Sequence, residues 1–171
     1  KYSSILINDL YDVVITHTGD VGVNHYQCAK AAVEASRAVK SGGNIILTGN
    51  LTDPDPIGGD NYKRMLQLLI NSGPTEFIRK ISSSDWKFVP EQWQVQMWAK
   101  VFQKLGSSKN LLSCLPKLEN YKENSLPETN ISNKIKRFPN EKDSKYARRI
   151  IQQTMNQIIA TSPNKKIVVL T

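Results

Sequence analysis

Histidine and cysteine are both scarce here, with two of each in 171 residues. Cys28 and Cys114 have no CxxC spacing, which leaves no readable zinc knuckle or disulfide framework. Both are read as reduced thiols of a cytoplasmic protein, and on that reading the sequons at Asn50 and Asn130 are chance matches. No apolar run approaches the roughly 18–20 residues a membrane helix needs. The opening residues, KYSSILINDL, lack a signal-peptide core and cleavage site. They also lack an initiator Met, so the expectation is a piece of a longer chain. No G-x-G-x-x-G is present, and Gly19 and Gly22 read as a turn. Asp53, Asp55 and Asp60 resemble a calcium loop only loosely, since two prolines interrupt them and no Glu follows at the required place. No Ser/His/Asp or Cys/His set stands out. His17, His25 and Asp20 could be imagined as metal ligands, but nothing in their spacing demands it, and the histidines read as structural or exposed.

What is present is a basic chain of ordinary globular composition. Lys and Arg number 23 against 15 Asp and Glu, with 39% hydrophobic residues. The excess sits in the second half, in NKIKR (133–137), KYARR (145–149) and NKK (164–166). None of these carries interleaved aromatics or a nucleic-acid motif, so they read as solvated faces that could also draw in an anionic small molecule. No nucleic-acid partner is expected.

The length fits one domain. DVVITH (12–17) is β-branched and bounded by a turn, hence a buried strand. Residues 24–40 read as a helix, with Asn24 and Gln27 at capping-box spacing and Cys28, Ala32, Ala35 and Val39 as its inner stripe. SGG (41–43) is expected to end it, and NIILTGN (44–50) to be a second strand, completing a βαβ unit. A loop at 51–60 and helices at 61–72, 74–81 and 90–106 follow, the last burying Val95, Trp98, Phe102 and Leu105. NLLSCL (110–115) is a third strand. Residues 116–143, rich in Pro and Asn, read as an irregular surface excursion. A helix at 144–162, with Ile150, Met155, Ile158 and Ile159 inward, precedes a strand at 165–170. Strands alternating with helices imply an α/β fold, a three-layer αβα sandwich with a mainly parallel sheet of about four strands.

In such folds ligands bind at the carboxyl ends of strands, beside helix N-termini. NHYQCAK (24–30) falls there. Tyr26 and Lys30 share a helix face, and Gln27 lies toward the helix start. A hydroxyl, an amide and an ammonium beside the first backbone N–H groups suit a small carboxylate. The same residues also have plain roles: Gln27 completing the cap, Lys30 pairing with Glu34, Tyr26 edging the core. Trp93, in the first turn of its helix and off the buried stripe, either covers core or walls a pocket.

YDVVIT, then YQCAKAAVEASRAVKSGGNIIL, then FVPEQWQVQMWAKVF together resemble the C-terminal half of the lactate racemase family over roughly residues 11–115, and again weakly at 165–170. The ordered pair of motifs, YQ-x-x-K and QW-x-x-Q, carries the resemblance. It implies two α/β domains with the active site between them and a nickel-pincer nucleotide as cofactor. The missing N-terminal domain would hold that cofactor and supply the catalytic histidines. Residues 1–171 would then form a single α/β domain that contacts a 2-hydroxy acid through Gln27, Lys30 and Trp93, with Tyr26 in the motif. No catalytic or metal-binding residue is expected within this chain. The implied activity is a racemase or epimerase working by a hydride shuttle, inactive without its N-terminal domain. The loop TGDVGVNH departs from the family's Gly-Gly-Pro-x-Asp type loop, and 48–61 departs as well, which leaves open which hydroxy acid is used. Two other classes stay open: a non-catalytic ligand-binding or assembly domain on the same scaffold, and an unrelated nucleotide-binding domain, for which no phosphate loop is found.

Overall fold

Val13 and Val14 are neighbours in sequence and both fully buried, yet they belong to two different core clusters. Successive residues of a strand point to opposite faces, so this strand is covered on both sides, as parallel sheets require. The computed structural model describes residues 7–122 and 125–170. The first six residues of KYSSILINDL, and residues 123 and 124 within the 116–143 segment, lie outside the described residues.

The strand carrying Val13 and Val14 is β1 (Tyr11–His17), with β2 (Val39–Thr48) on one side and the edge strand β5 (Ile167–Leu170) on the other. β3 (Leu111–Cys114) and β4 (Thr129–Asn130) continue the sheet in the order β4-β3-β2-β1-β5. Every pairing is parallel. The expected α/β sandwich is therefore observed, with a fifth strand in the two-residue β4. α1 (His25–Ala38) and α4 (Gln92–Leu105) bury their inner stripes against Val14, Ile45 and Leu47. α2 (Asp60–Ser72) and α3 (Pro74–Ile81) add Leu66, Leu69 and Phe77 to that layer. On the opposite face, α5 (Asp143–Thr161) packs Tyr146 and Ile150 on Val13, Ile46 and Cys114.

Three expectations change. α1 ends at Ala38, and Val39 turns straight into extended backbone (φ −87°, ψ 143°). A buried β-branched residue at the junction favours the strand. Gly42 and Gly43 thus lie inside β2, where the register against β1 slips between Tyr11 and Val13. Gly42 takes a φ of +75°, and a Cβ on Gly43 would sit 2.8 Å from the Asp12 carbonyl oxygen, so the glycines serve an irregularity of the strand. On α5, Thr154 is buried while Ile159 is 42% exposed. Residues 116–143 are irregular but not superficial, since Leu118, Leu126, Glu128, Asn130 and Ser132 are all buried.

Candidate functional site

α1 begins directly above the carboxyl end of β1. Asn24 caps it, its Oδ1 accepting from the Gln27 backbone N–H at 3.0 Å, and its Nδ2 donates to Asp53 Oδ2 at 2.6 Å. The reciprocal half of the capping box is missing: Gln27 Oε1 is buried without a hydrogen-bond partner. The β2–α2 loop closes over the same turn, because the His25 and Tyr26 N–H groups donate to the carbonyls of Pro56 (2.8 Å) and Ile57 (3.0 Å). Asp55 shapes that loop, accepting from the Ile57 N–H at 3.0 Å and pairing with Lys63 at 2.6 Å. The first N–H groups of α1 are thus occupied, and the anion cradle expected there is not available. Positive charge at this turn must come from a side chain.

Lys30 is the side chain in position. It is exposed, and its expected partner is engaged elsewhere: Glu34 pairs with Arg37 at 3.1 Å. Tyr26 is half-buried with its ring edge-on to Tyr62, centroids 5.2 Å apart. Burial pushes the Tyr26 hydroxyl up from its ordinary pKa, and Glu91 adds to that. Trp93 is 45% exposed and stacks on Phe88, which is 65% exposed (centroids 6.2 Å, interplanar angle 14°). It does not cover the core. Glu91, just before α4, adopts a left-handed backbone (φ 70°) and accepts the Tyr62 N–H at 3.0 Å. Leu51 in the facing loop is also left-handed (φ 46°). Strain of this kind collects where surrounding structure holds a shape for a purpose.

Tyr26, Gln27 and Lys30 therefore share the opening of one helix, and the Tyr62–Glu91 contact links that turn to the segment carrying Trp93. A crevice of about 270 Å³, lined by Leu69, Pro74, Phe102, Lys109 and Leu126, includes none of the four. Lys30 and Trp93 lie exposed at the candidate site.

Sequence reasoning left His25 without a role. It is fully buried, stacked on Trp98 (centroids 4.8 Å, 17°). Its Nδ1 lies 2.6 Å from Tyr62 Oη and its Nε2 3.0 Å from Glu128 Oε1. Trp98 Nε1–H donates to Tyr62 Oη at 2.8 Å. Burial alone would push the Glu128 carboxyl up, but His25, together with the nearby backbone and the Ser113 hydroxyl, holds the carboxyl below its usual range. The partners are 37 and 103 residues away, and no local pattern signals either.

His17 accepts from the Gly19 N–H at 2.9 Å in an exposed turn. Among the described residues no group of three or more His, Cys, Asp or Glu could hold a metal ion. Cys28 and Cys114 are free and buried on opposite faces of the sheet. Burial raises both thiols, Cys114 to about 12, which makes them poor nucleophiles. No described helix is long and apolar enough to cross a membrane.

Residues 8–107 match the family model of the lactate racemase C-terminal domain. Among curated proteins none matches. The solved structure of the lactate racemase apoprotein from Thermoanaerobacterium thermosaccharolyticum is similar, with a TM-score of 0.61 and 20% identity over 95% of this chain. This chain spans 34% of that one. At such identity the likeness speaks for the fold.

Proposed function

The chain belongs to the lactate racemase C-terminal domain family, and from that premise we propose that it is the substrate-contacting domain of a 2-hydroxyacid racemase or epimerase. The observation that carries this reading is the pairing of two unused groups on one helical turn: the exposed ammonium of Lys30, with Glu34 turned away to Arg37, and the buried, unpartnered Gln27 Oε1. A buried amide oxygen without a partner is costly unless something binds it. A 2-hydroxy carboxylate offers what both lack. Its carboxylate takes the Lys30 charge, and its hydroxyl donates to Gln27 Oε1. Tyr26 orders one flank, and the Trp93–Phe88 stack forms an apolar lip.

Among the described residues no group of three or more His, Cys, Asp or Glu could hold the nickel of the nickel-pincer nucleotide that the resemblance implies, so no step here runs through it. It would be held by an N-terminal domain together with the groups that move protons and hydride. This chain's own residues bind and orient, which is worth rate only when the rest of the site is present. The isolated chain should therefore racemise no 2-hydroxy acid even with cofactor supplied, and turnover by it alone would overturn the division of labour.

Lys30→Ala tests the site in the intact protein, with Glu34→Ala beside it. Loss of a charged substrate contact should cost about 2–4 kcal/mol, or roughly 30- to 1000-fold in kcat/KM. Thermal stability should hold within about 0.5 kcal/mol, as expected of an exposed, unpaired side chain. Near-normal turnover by Lys30→Ala would remove the site reading.

A further inference from the structure

His25 joins four separate parts of the fold through one buried chain of hydrogen bonds. Trp98 comes from α4, Tyr62 from α2, His25 from the first residue of α1, and Glu128 from the segment just before β4. The directions of the protons follow from the donors available. Trp98 Nε1–H can only donate, so Tyr62 Oη accepts from it. The ionised Glu128 carboxylate can only accept, so His25 Nε2 carries the proton between them. The bond between Tyr62 Oη and His25 Nδ1 takes its direction from the protonation of the imidazole. The Trp98 end of the chain is fixed by packing, since Trp98 stacks on the His25 ring and also on Phe102, centroids 6.0 Å apart.

The chain ends at the candidate site in two ways. His25 immediately precedes Tyr26 and Gln27, and Tyr62, its partner, holds the Tyr26 ring edge-on. Its N–H is also tied to Pro56 in the loop that covers the turn. Glu128 lies beyond the matched residues 8–107, so the irregular segment after β3 takes part in a framework that the family motifs alone do not describe. The Glu128 side chain is fully buried, and a buried carboxylate is tolerated only with a partner; His25 is that partner for Oε1, while Oε2 is buried without a hydrogen bond.

We propose that His25 is a positioning residue for the Tyr26–Gln27–Lys30 turn, held by the Trp98–Tyr62 hydrogen bond on one side and by Glu128 on the other. This rests on the reading of that turn as the substrate contact. It gives the segment around Glu128 a role in holding the site.

The test uses the intact protein, with lactate as the probe and Tyr62→Phe and Glu128→Gln as variants. Tyr62→Phe deletes only the hydroxyl in the chain. Glu128→Gln keeps an acceptor oxygen for the imidazole, and Glu128→Ala keeps none. Two readouts are taken: the side-chain amide signal of Gln27 in an ¹⁵N-labelled NMR spectrum, and the KM for lactate. Tyr62→Phe and Glu128→Ala should shift the Gln27 amide signal. They should also raise KM about tenfold or more, since displacing a binding group by an ångström can cost on the order of a hundredfold. Glu128→Gln should restore both toward wild type. If melting temperatures fall while the Gln27 signal and KM stay put, the chain is only part of the core and the proposal is overturned. If Lys30→Ala leaves turnover unchanged, the substrate reading fails; if the wild type does not turn over lactate, only lactate is ruled out as its substrate; in both cases the Gln27 signal decides the positioning role by itself. A variant that does not fold is replaced by the milder of the set, Tyr62→Phe.

Discussion

A Cβ on Gly49 would come within 2.2 Å of Thr18 Oγ1, and one on Gly22 within 2.0 Å of the same oxygen. Thr18 follows β1 directly, so its side chain wedges both loops at the carboxyl end of the sheet. Gly49→Ala should therefore destabilise by about 1–3 kcal/mol through overpacking. Most of that loss should return in the double variant with Thr18→Ala, because the remaining Cβ–Cβ distance of 3.2 Å needs only a small shift. Urea denaturation of the two single variants and the double variant measures this as a coupling, and strictly additive losses would contradict the packing described. At this scale the sequence was legible where a pattern repeats locally. The 24–30 turn stood out by its position after a strand, while the site roles of Gln27, Lys30 and Trp93 came from the family resemblance. The partnerships of Gln27, Glu34 and His25 could not, because each was settled by a group elsewhere.

α1 and α5 are each tied to an irregular segment by polar side chains. At the start of α1, Asn24 serves both the helix and the Asp53 loop. Asn24→Ala should lose about 0.5–2 kcal/mol of stability in a denaturant titration, and more than that would mark the loop contact as the larger part. Near the start of α5, Arg149 reaches back to Glu141 at 2.6 Å and lies over the Phe138 ring, 4.1 Å from its centroid. Tyr146 Oη donates to the carbonyls of Ser132 and Ile135. The Arg149 guanidinium holds the Glu141 carboxyl at about 2, down from 4.5. A carboxyl lowered on folding stabilises fully above its unfolded value and loses that contribution as pH falls through its folded value. Stability should thus fall as pH drops from about 4.5 to about 2, and Glu141→Gln should flatten that limb of the Tm-against-pH curve. An unchanged acid limb would show that the pair contributes nothing. The helices themselves were legible from periodicity. The clamps that hold them to 116–143 were not, because polar Pro- and Asn-rich sequence reads the same whether it is solvated or packed.

Across the whole molecule, one strand feeds two cores: Ile46 of β2 lies in the cluster under α5, and Leu47 in the cluster under α1 and α4. We propose that residues 1–171 form a single cooperative domain. Truncating either residue to Ala should cost about 2–5 kcal/mol. Trp98 lies in the α1/α4 core, so tryptophan fluorescence reports mainly that face, while far-UV circular dichroism reports all helices. For Ile46→Ala the two curves should still coincide. Separated transitions would mean that the faces unfold independently and that the single-domain proposal is wrong.

The order of strands and helices and their mainly parallel arrangement were determined by the sequence alone. These follow from runs of β-branched residues, helical spacing and the connection rules for parallel strands, all of which act over short stretches. The fifth strand escaped that reading because two residues, Thr129 and Asn130, carry no pattern. Only the tertiary structure decided that the His25 and Tyr26 N–H groups at the start of α1 are already bonded to Pro56 and Ile57. Only it brought Glu128 across 103 residues to His25. Both are long-range pairings, settled by which groups the folded sheet and its loops bring within hydrogen-bond reach.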